Sequence, residues 1–210
     1  MTGPPQAAAG PPPPDGLVVG ADGLARCSWA TGDPLYLDYH DTEWGRAVTD
    51  DVGLFERLSL EGFQSGLSWL VILRKRPAFR RAFADFDPGV VARFTDDDTE
   101  RLLGDAGIVR NRQKIAATIA NARVLTEMDQ PLATLLWSFA PQSRDRPSGP
   151  HEVPAVTAES TAMAKALRKQ GFRFIGPTTC YALMQAVGMV DDHLDGCSAP
   201  AMPPPRRTGA

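Results

Sequence analysis

Apolar residues recur at helical spacing through the middle of this chain. From Thr49 to Trp137 they fall three and four residues apart, which is the period of a helix that buries one face. Long alternating runs of β-branched residues, which would indicate strands, are absent from the sequence. The pattern predicts an all-α body, with Thr95 as one helix cap. Its predicted helices span 51–63, 65–75, 77–83, 88–94, 97–103, 110–128 and 131–139.

The helical pattern resumes after a proline-rich stretch at 141–156. It predicts helices at 160–170 and 178–190, with the sequence GFRFIGP between them. Gly171 is placed to end the first helix in a left-handed conformation, and Gly176 with Pro177 permits a hairpin. Such a hairpin can bring backbone N–H groups to a phosphate, although most glycine-containing turns between helices only connect them.

Both ends of the chain differ from this body. Residues 1–25 hold six prolines and five glycines, and residues 198–210 repeat that composition. Segments with so few bulky apolar residues do not offset the entropy that is lost on ordering. We therefore expect one domain at 24–197, between disordered tails at 1–23 and 198–210.

Composition and charge narrow the class of protein. No basic segment precedes a long apolar one at the N-terminus, and no apolar run approaches the roughly 18 residues of a membrane span. Three cysteines in 210 residues argue against a disulfide framework, so a cytoplasmic protein without a membrane partner is expected. The net charge of −3 argues against a general nucleic-acid binder, although basic residues cluster at 74–81. No heptad calls for an oligomer, so a monomer is expected.

Two pairs of residues have the chemistry of metal ligands. His193 and Cys197 lie four residues apart, and Cys27 and His40 form a second pair. Two thiolates and two imidazoles suit a tetrahedral zinc ion, which would have no open position for water and would be structural. The spacing matches no standard zinc finger, and two buried cysteines beside two polar histidines would give the same sequence.

Glu61 continues an apolar helix face. It follows Leu54 and Leu58 at the i, i+4, i+7 positions, so its carboxylate needs a partner or faces a cavity. A partly solvated glutamate near a helix end would show the same pattern. Nearby segments supply the flat aromatic rings of Trp69, Tyr36, Tyr39 and Trp44. Flat rings with one acceptor suit recognition of a cationic heterocycle, although a single tryptophan is more often a core residue.

Six blocks together resemble the 3-methyladenine DNA glycosylase I family. They cover most of 26–197 and read RCSW, DPLYLDYHDTEWG, LEGFQSGLSW, AGIVRNRQKI, GFRFIGPTTCYALMQAVG and DDHLDGC. The resemblance implies an all-α, helix-hairpin-helix DNA glycosylase-like fold, with a structural zinc site that ties the N- and C-terminal segments. The implied zinc ligands are Cys27, His40, His193 and Cys197.

The resemblance also implies a base pocket and a DNA-binding surface. The pocket comprises Glu61, Tyr39 and Trp69, with Tyr36, Trp29 and Trp44 around them. Leu67, after Gly66, would fill the gap that a flipped base leaves in the duplex. The segment from Phe174 to Thr178, with Gly176, would hold the DNA backbone.

Two positions depart from the family pattern. Phe63 stands where the family commonly has glutamine, which would alter contacts to DNA beside the pocket. Asp191 stands where the family commonly has asparagine and related enzymes have a catalytic aspartate, so Asp191 is a secondary catalytic candidate beside Glu61.

The expected function is base-excision repair. The enzyme would flip 3-methyladenine out of double-stranded DNA and hydrolyse its N-glycosidic bond. No lysine is placed by motif to form a Schiff base, so no strand cleavage is expected. Two alternatives remain open: a zinc-stabilised module that binds alkylated bases without cutting, and a metal hydrolase with an open zinc site.

Overall fold

Nine helices and one short hairpin make up the described part of the chain. The computed structural model describes residues 14–142 and 145–200. Its elements are β1 (Leu17–Val19), β2 (Ala25–Cys27), α1 (Pro34–Thr42), α2 (Asp51–Gln64), α3 (Trp69–Ala82), α4 (Pro88–Val91), α5 (Asp96–Gly104), α6 (Arg112–Glu127), α7 (Leu132–Trp137), α8 (Ala158–Gln170) and α9 (Pro177–Ala186). Short 3-10 helices lie at Ser28–Ala30, Ala84–Phe86 and Pro150–Glu152. The prediction of a mostly helical protein is confirmed.

α1 and α3 differ most from the predicted helices. α1 has no predicted counterpart because its mixture of aromatic and charged residues gives no apolar stripe; Asp33 caps it by accepting from the Leu35 N–H. α3 replaces two predicted helices and runs through Pro77, and buried Leu73 and Phe79 on either side hold it against the core.

The β-hairpin lies at the N-terminal border of the predicted domain. β1 pairs antiparallel with β2, with Leu17 opposite Cys27 in register, so ordered chain begins before the predicted start at residue 24. At the other end, Ser198 donates its N–H to the Ala25 carbonyl at 2.7 Å, and Ala199 is buried. Residues 1–13 and 201–210 of the predicted tails lie outside the described residues.

α2 is the central helix of the fold. Every residue from Leu54 to Phe63 is buried, because α3, α6, α7 and α9 pack around it. The Phe63 ring lies 4.6 Å from that of Phe79 and 5.8 Å from that of Phe83. Phe63 therefore belongs to the core, and its ring packs on other phenylalanines. Its expected effect on DNA contacts stays a prediction.

α8 and α9 form the predicted pair of helices around a glycine-containing turn. Thr157 and Ser160 build a reciprocal cap at the start of α8. Gly171 ends α8 with φ of 103°, as predicted. Gly176 is the N-cap residue of α9, and Pro177 follows it directly. No helix in the described ranges is long and apolar enough to cross a membrane.

Candidate base pocket and metal cluster

A cavity of about 530 Å³ opens between α1, α2, the start of α3 and the end of α9. Its walls are mainly aromatic and apolar, with a few polar side chains. They comprise Gly16, Cys27, Ser28, Trp29, Tyr36, Tyr39, Trp44, Glu61, Gln64, Trp69, Pro150, Val153, Ala182, Gln185, Asp192 and Leu194. All six residues predicted for the base pocket therefore line one cavity, whose volume suits one small ligand.

Glu61 is the buried acid of this cavity. Its side chain is only 6% exposed, and within the described part of the chain no group donates a hydrogen bond to its carboxylate. Burial raises the pKa of Glu61 to about 8, and the positive charge of Arg57 opposes that rise. A carboxylate without a donor in an apolar cavity favours a ligand that brings its own donor or positive charge.

Aromatic rings line the same cavity as Glu61. The rings of Tyr39 and Trp69 lie 5.6 Å apart and are tilted by 47°. The Trp29 ring meets Tyr36 at 5.6 Å and Trp44 at 5.0 Å, both edge to face. These contacts fix the rings, so the cavity offers preformed flat surfaces.

Three polar groups line this wall: the hydroxyls of Tyr36 and Tyr39 and the indole N–H of Trp69. Tyr36 accepts a hydrogen bond from the Leu70 N–H at 3.0 Å, which joins α1 to α3. Burial, and next the charge of Glu61, raise the pKa of the Tyr39 hydroxyl above its usual range. Tyr39 therefore stays protonated and can donate a hydrogen bond. The indole N–H of Trp69 is buried and has no partner among the described residues.

Cys27, His40, His193 and Cys197 converge beside the cavity. All four are buried, and one candidate ligand atom from each lies within 4.8 Å of the others. His40 Nε2 is 3.2 Å from His193 Nδ1 and 3.5 Å from Cys197 Sγ, and His193 Nδ1 is 3.8 Å from Cys197 Sγ. A tetrahedral zinc ion with ordinary bond lengths requires about 3.3 Å between nitrogens and about 3.5 Å between nitrogen and sulfur. The cluster therefore fits the predicted ion.

The chemistry around the cluster supports the same fit. Cys27 and Cys197 share a hydrogen bond, which lowers the pKa of the Cys197 thiol and raises that of Cys27. His40 Nδ1 contacts Asp41 Oδ1 at 2.8 Å, which leaves Nε2 directed at the cluster. Arg146 donates to the Cys197 carbonyl at 3.1 Å and so anchors the last ligand segment.

The cluster and the cavity share a wall. The His193 ring packs edge to face on Trp44 at 4.7 Å, and Trp44 in turn packs on Trp29. Cys27 itself lines the cavity. The positions of the cluster residues therefore restrict the positions of the aromatic rings in the cavity wall.

Asp191, the secondary catalytic candidate, and its neighbour Asp192 differ in their position relative to the cavity. Asp191 points away from the cavity lining, because its carboxylate pairs with Arg146 Nε at 3.0 Å. Asp192 lines the cavity and accepts hydrogen bonds from Tyr181 at 2.6 Å and Gln185 at 2.8 Å. Asp192 was not singled out from the sequence, and its place in the cavity depends on contacts with Tyr181 and Gln185 of α9.

The predicted DNA-binding residues lie at two turns. Leu67 is 40% exposed and follows Gly66, whose φ of 83° reverses the chain after α2. Gly176 and Thr178 lie at the start of α9, after Phe174. Phe174 is 44% exposed and has φ of 60°, an uncommon conformation for an aromatic residue.

Fold and site together define a mostly helical protein with a cavity beside a cluster of four Cys and His residues. The cavity has flat aromatic walls, and its buried Glu61 favours a cationic ligand. Similarity to known proteins makes this assignment more specific. The sequence profile of the methyladenine glycosylase family matches residues 29–200. The DNA-3-methyladenine glycosylase 1 of Escherichia coli (strain K12) is 48% identical over 180 residues, which are 83% of this chain and 96% of that protein. The chain belongs to the methyladenine glycosylase family, as the six blocks predicted.

Solved structures agree in fold. A crystal structure of 3-methyladenine DNA glycosylase I matches with a TM-score of 0.80 at 46% identity, over 82% of this chain and 98% of the other. A variant of 3-methyladenine DNA glycosylase I in complex with 3-methyladenine matches with a TM-score of 0.79 at 35% identity, over 84% and 98% of the two chains.

Proposed function

We propose that this protein hydrolyses the N-glycosidic bond of 3-methyladenine in double-stranded DNA. The observation that carries the proposal is the buried Glu61 carboxylate, without a donor, in a cavity that the rings of Tyr39 and Trp69 also line. Family membership supports the same reaction, because a relative in this family is named for it and a similar enzyme binds the free base.

Recognition follows from charge and shape. Adenine methylated at N3 is a flat cation in DNA, whereas normal bases are neutral. The Tyr39 and Trp69 rings stack against this cation, and Glu61 accepts a hydrogen bond from its exocyclic amine. A neutral purine lacks the charge that offsets the burial of Glu61, so the cavity selects the alkylated base.

Base flipping brings the lesion to the cavity. Leu67 enters the base stack from the turn at Gly66 and fills the space that the base leaves. The backbone at Gly176 and the hydroxyl of Thr178 hold a phosphate at the start of α9, where helix N–H groups are unpaired. Extrusion costs a few kcal/mol and is easiest for a damaged base.

The bond breaks because the base is already a good leaving group. The bonding electrons pass to the cationic ring, which leaves as neutral 3-methyladenine, and water adds to the sugar carbon and releases a proton. Support for the positive sugar comes from DNA phosphate and from Asp192, which lines the cavity where Asp191 does not. No lysine lines the cavity of the described chain, which supports hydrolysis without a Schiff base or strand cleavage.

A structural zinc ion is part of the proposal. Cys27, His40, His193 and Cys197 would hold it, with no fifth position for substrate, which disfavours the metal-hydrolase alternative. A bound ion fixes the wall beside Trp44. A helix-hairpin-helix fold, a monomer and a cytoplasmic location complete the proposal; the three buried free cysteines support a reducing compartment.

The test is release of free bases from N-methylated duplex DNA, identified by mass. The wild type is expected to release 3-methyladenine, and Glu61→Gln to lower the rate by roughly 100-fold or more. Glu127→Gln, at the exposed end of α6, is the matched control and should keep full activity. Folded wild-type protein that binds methylated DNA but releases no base would support the binding-module alternative instead.

A further inference from the structure

One face of α6 is polar although it is buried. Lys114, Thr118 and Asn121 fall at the i, i+4, i+7 positions, where a core-facing helix normally has apolar residues. Each is at most 8% exposed. Buried polar groups are costly unless they are paired, so the partners of this stripe indicate what it holds in place.

Lys114 holds the end of α2. Its ammonium donates to the Phe63 carbonyl at 2.9 Å and to the Ser65 carbonyl at 2.6 Å. Carbonyls in a last helical turn have no N–H partner within the helix, and a positive charge there is favourable. Leu67 lies two residues after Ser65, so Lys114 fixes the point from which the exposed Leu67 turn departs.

Asn121 holds the turn between α8 and α9. Its carboxamide donates to the Arg173 carbonyl at 3.1 Å and accepts from the Arg173 N–H at 2.7 Å. Both backbone groups of Arg173 are therefore fixed immediately before the exposed Phe174. Arg168 adds a bond to the Ile175 carbonyl at 2.7 Å from the other side.

A small cleft on α6 lies between the end of α2 and the turn at 173–175. Thr118 lies between the anchors and donates to the Lys114 carbonyl at 3.0 Å. Gly62 of α2 also borders this cleft, and a Cβ added there would be in ordinary contact, at 4.0 Å, with the Phe174 carbonyl oxygen. Lys114 and Asn121 are seven residues apart, which is about 10.5 Å along a helix.

We propose that α6 is a spacer that sets the distance between the Leu67 turn and the 173–178 turn, with Lys114 and Asn121 as its positioning residues. Both turns must reach one duplex at once, Leu67 at the base stack and the second turn at the backbone, so their separation determines how well duplex DNA fits. The inference rests on the proposed function for its ligand, duplex DNA, and not for the chemistry of base release.

The test compares Lys114→Met and Asn121→Leu with a matched control. Lys75→Met is that control, because Lys75 also donates to two carbonyls, of Ala106 at 2.8 Å and Gly107 at 3.3 Å, away from both turns. Binding is measured to a duplex with one abasic-site analogue, to the same strand alone, and to free 3-methyladenine. Thermal unfolding of each variant is recorded in parallel.

Lys114→Met is expected to weaken binding to the abasic duplex by roughly tenfold or more, since it removes two charged hydrogen bonds. Binding to the single strand and to free 3-methyladenine should stay within about twofold, and Lys114→Arg should recover part of the duplex affinity. Lys75→Met should bind the duplex like the wild type.

Three results would overturn the proposal that α6 sets the distance between the two turns. They are unchanged duplex binding by Lys114→Met, equal loss with Lys75→Met, or loss of free-base binding in parallel with duplex binding. If Asn121→Leu does not fold, the comparison of Lys114→Met with Lys75→Met still tests the proposal. A wild type that binds the abasic duplex but releases no base would refute the proposed reaction and leave this comparison intact.

Discussion

At the scale of the single residue, burial determines what Glu61 does. The carboxylate lies on the core face of α2, in a cavity that the rings of Tyr39 and Trp69 also line. Burial raises its pKa from an ordinary value of 4.5 to about 8, against the opposing charge of Arg57. The same desolvation that makes the site selective for a cation makes an ionised Glu61 costly in the free protein.

This cost predicts a pH-dependent stability difference between Glu61→Gln and the wild type. Below pH 4.5 Glu61 is protonated in both folded and unfolded protein, and the two proteins should be about equally stable. Between pH 4.5 and 8 only the unfolded carboxylate ionises, so the wild type loses up to about 1.4 kcal/mol per pH unit. Above pH 8 Glu61 is ionised in both states, so the stability of the wild type should fall no further from this cause.

Denaturant unfolding at pH 5 and pH 8 checks this sign. The free energy of unfolding of Glu61→Gln minus that of the wild type should be larger at pH 8 than at pH 5, by at least about 2 kcal/mol. Glu127→Gln, at an exposed position, should show no such trend. A difference that does not change with pH would mean that Glu61 is not desolvated in solution.

Sequence patterns predicted single residues unevenly. Helical spacing identified Glu61 as an acid on an apolar face, because that information lies within one helix. The pattern could not choose between Asp191 and Asp192, since the chain after α9 has no period and the choice depends on Arg146 and Tyr181. The packing of Phe63 could not be predicted from local spacing, because its partner Phe79 comes from another helix.

At the scale of the element, the connection between α8 and α9 depends on Gly171. Its φ of 103° lies in the region that favours glycine, and an added Cβ would lie 3.3 Å from a Val124 methyl group. The N–H of Gly171 donates to carbonyls of the last turn of α8, which closes that helix.

Gly171→Ala should therefore destabilise the protein by about 1 to 2 kcal/mol. Gly104→Ala is the matched control, because it ends α5 with open space around it and should be neutral or slightly stabilising. Unfolding free energies of both variants give the comparison. Equal effects at the two positions would contradict the role of the left-handed conformation.

Elements with a strong period were predicted well and others were not. α2, α5 and α6 match their predicted ranges closely because each has an apolar stripe and a capping residue. α1 and the β-hairpin were missed. Their residues pack against the Cys/His cluster and the cavity, so long-range contacts and not local spacing stabilise them.

At the scale of the whole molecule, the Cys/His cluster joins the two ends of the described chain. Cys27 is the last residue of β2, and His193 and Cys197 lie after the last helix. An ion held by both ends closes a loop of about 170 residues, whose closure restricts the unfolded chain. Metal binding and folding should therefore be coupled.

Cys197→Ser should lower zinc content from one ion per chain to near zero and reduce the free energy of unfolding by several kcal/mol. Cys180→Ala is the control, since Cys180 is a buried core thiol on α9 that lies outside the cluster. It should lose some stability through its cavity but keep the metal. Elemental analysis and thermal unfolding measure both, and a Cys197→Ser protein that retains one zinc would refute the ligand assignment.

The sequence by itself determined the helical class, the core faces of most helices, the end of α8 at Gly171 and the residue types of both sites. These properties depend on spacing within a few residues. Only the tertiary structure decided which side chains share a cavity, that Asp192 and not Asp191 lines it, and that α6 anchors two separate turns. Segments more than 100 residues apart meet there, and their meeting depends on packing around α2, which no local pattern contains.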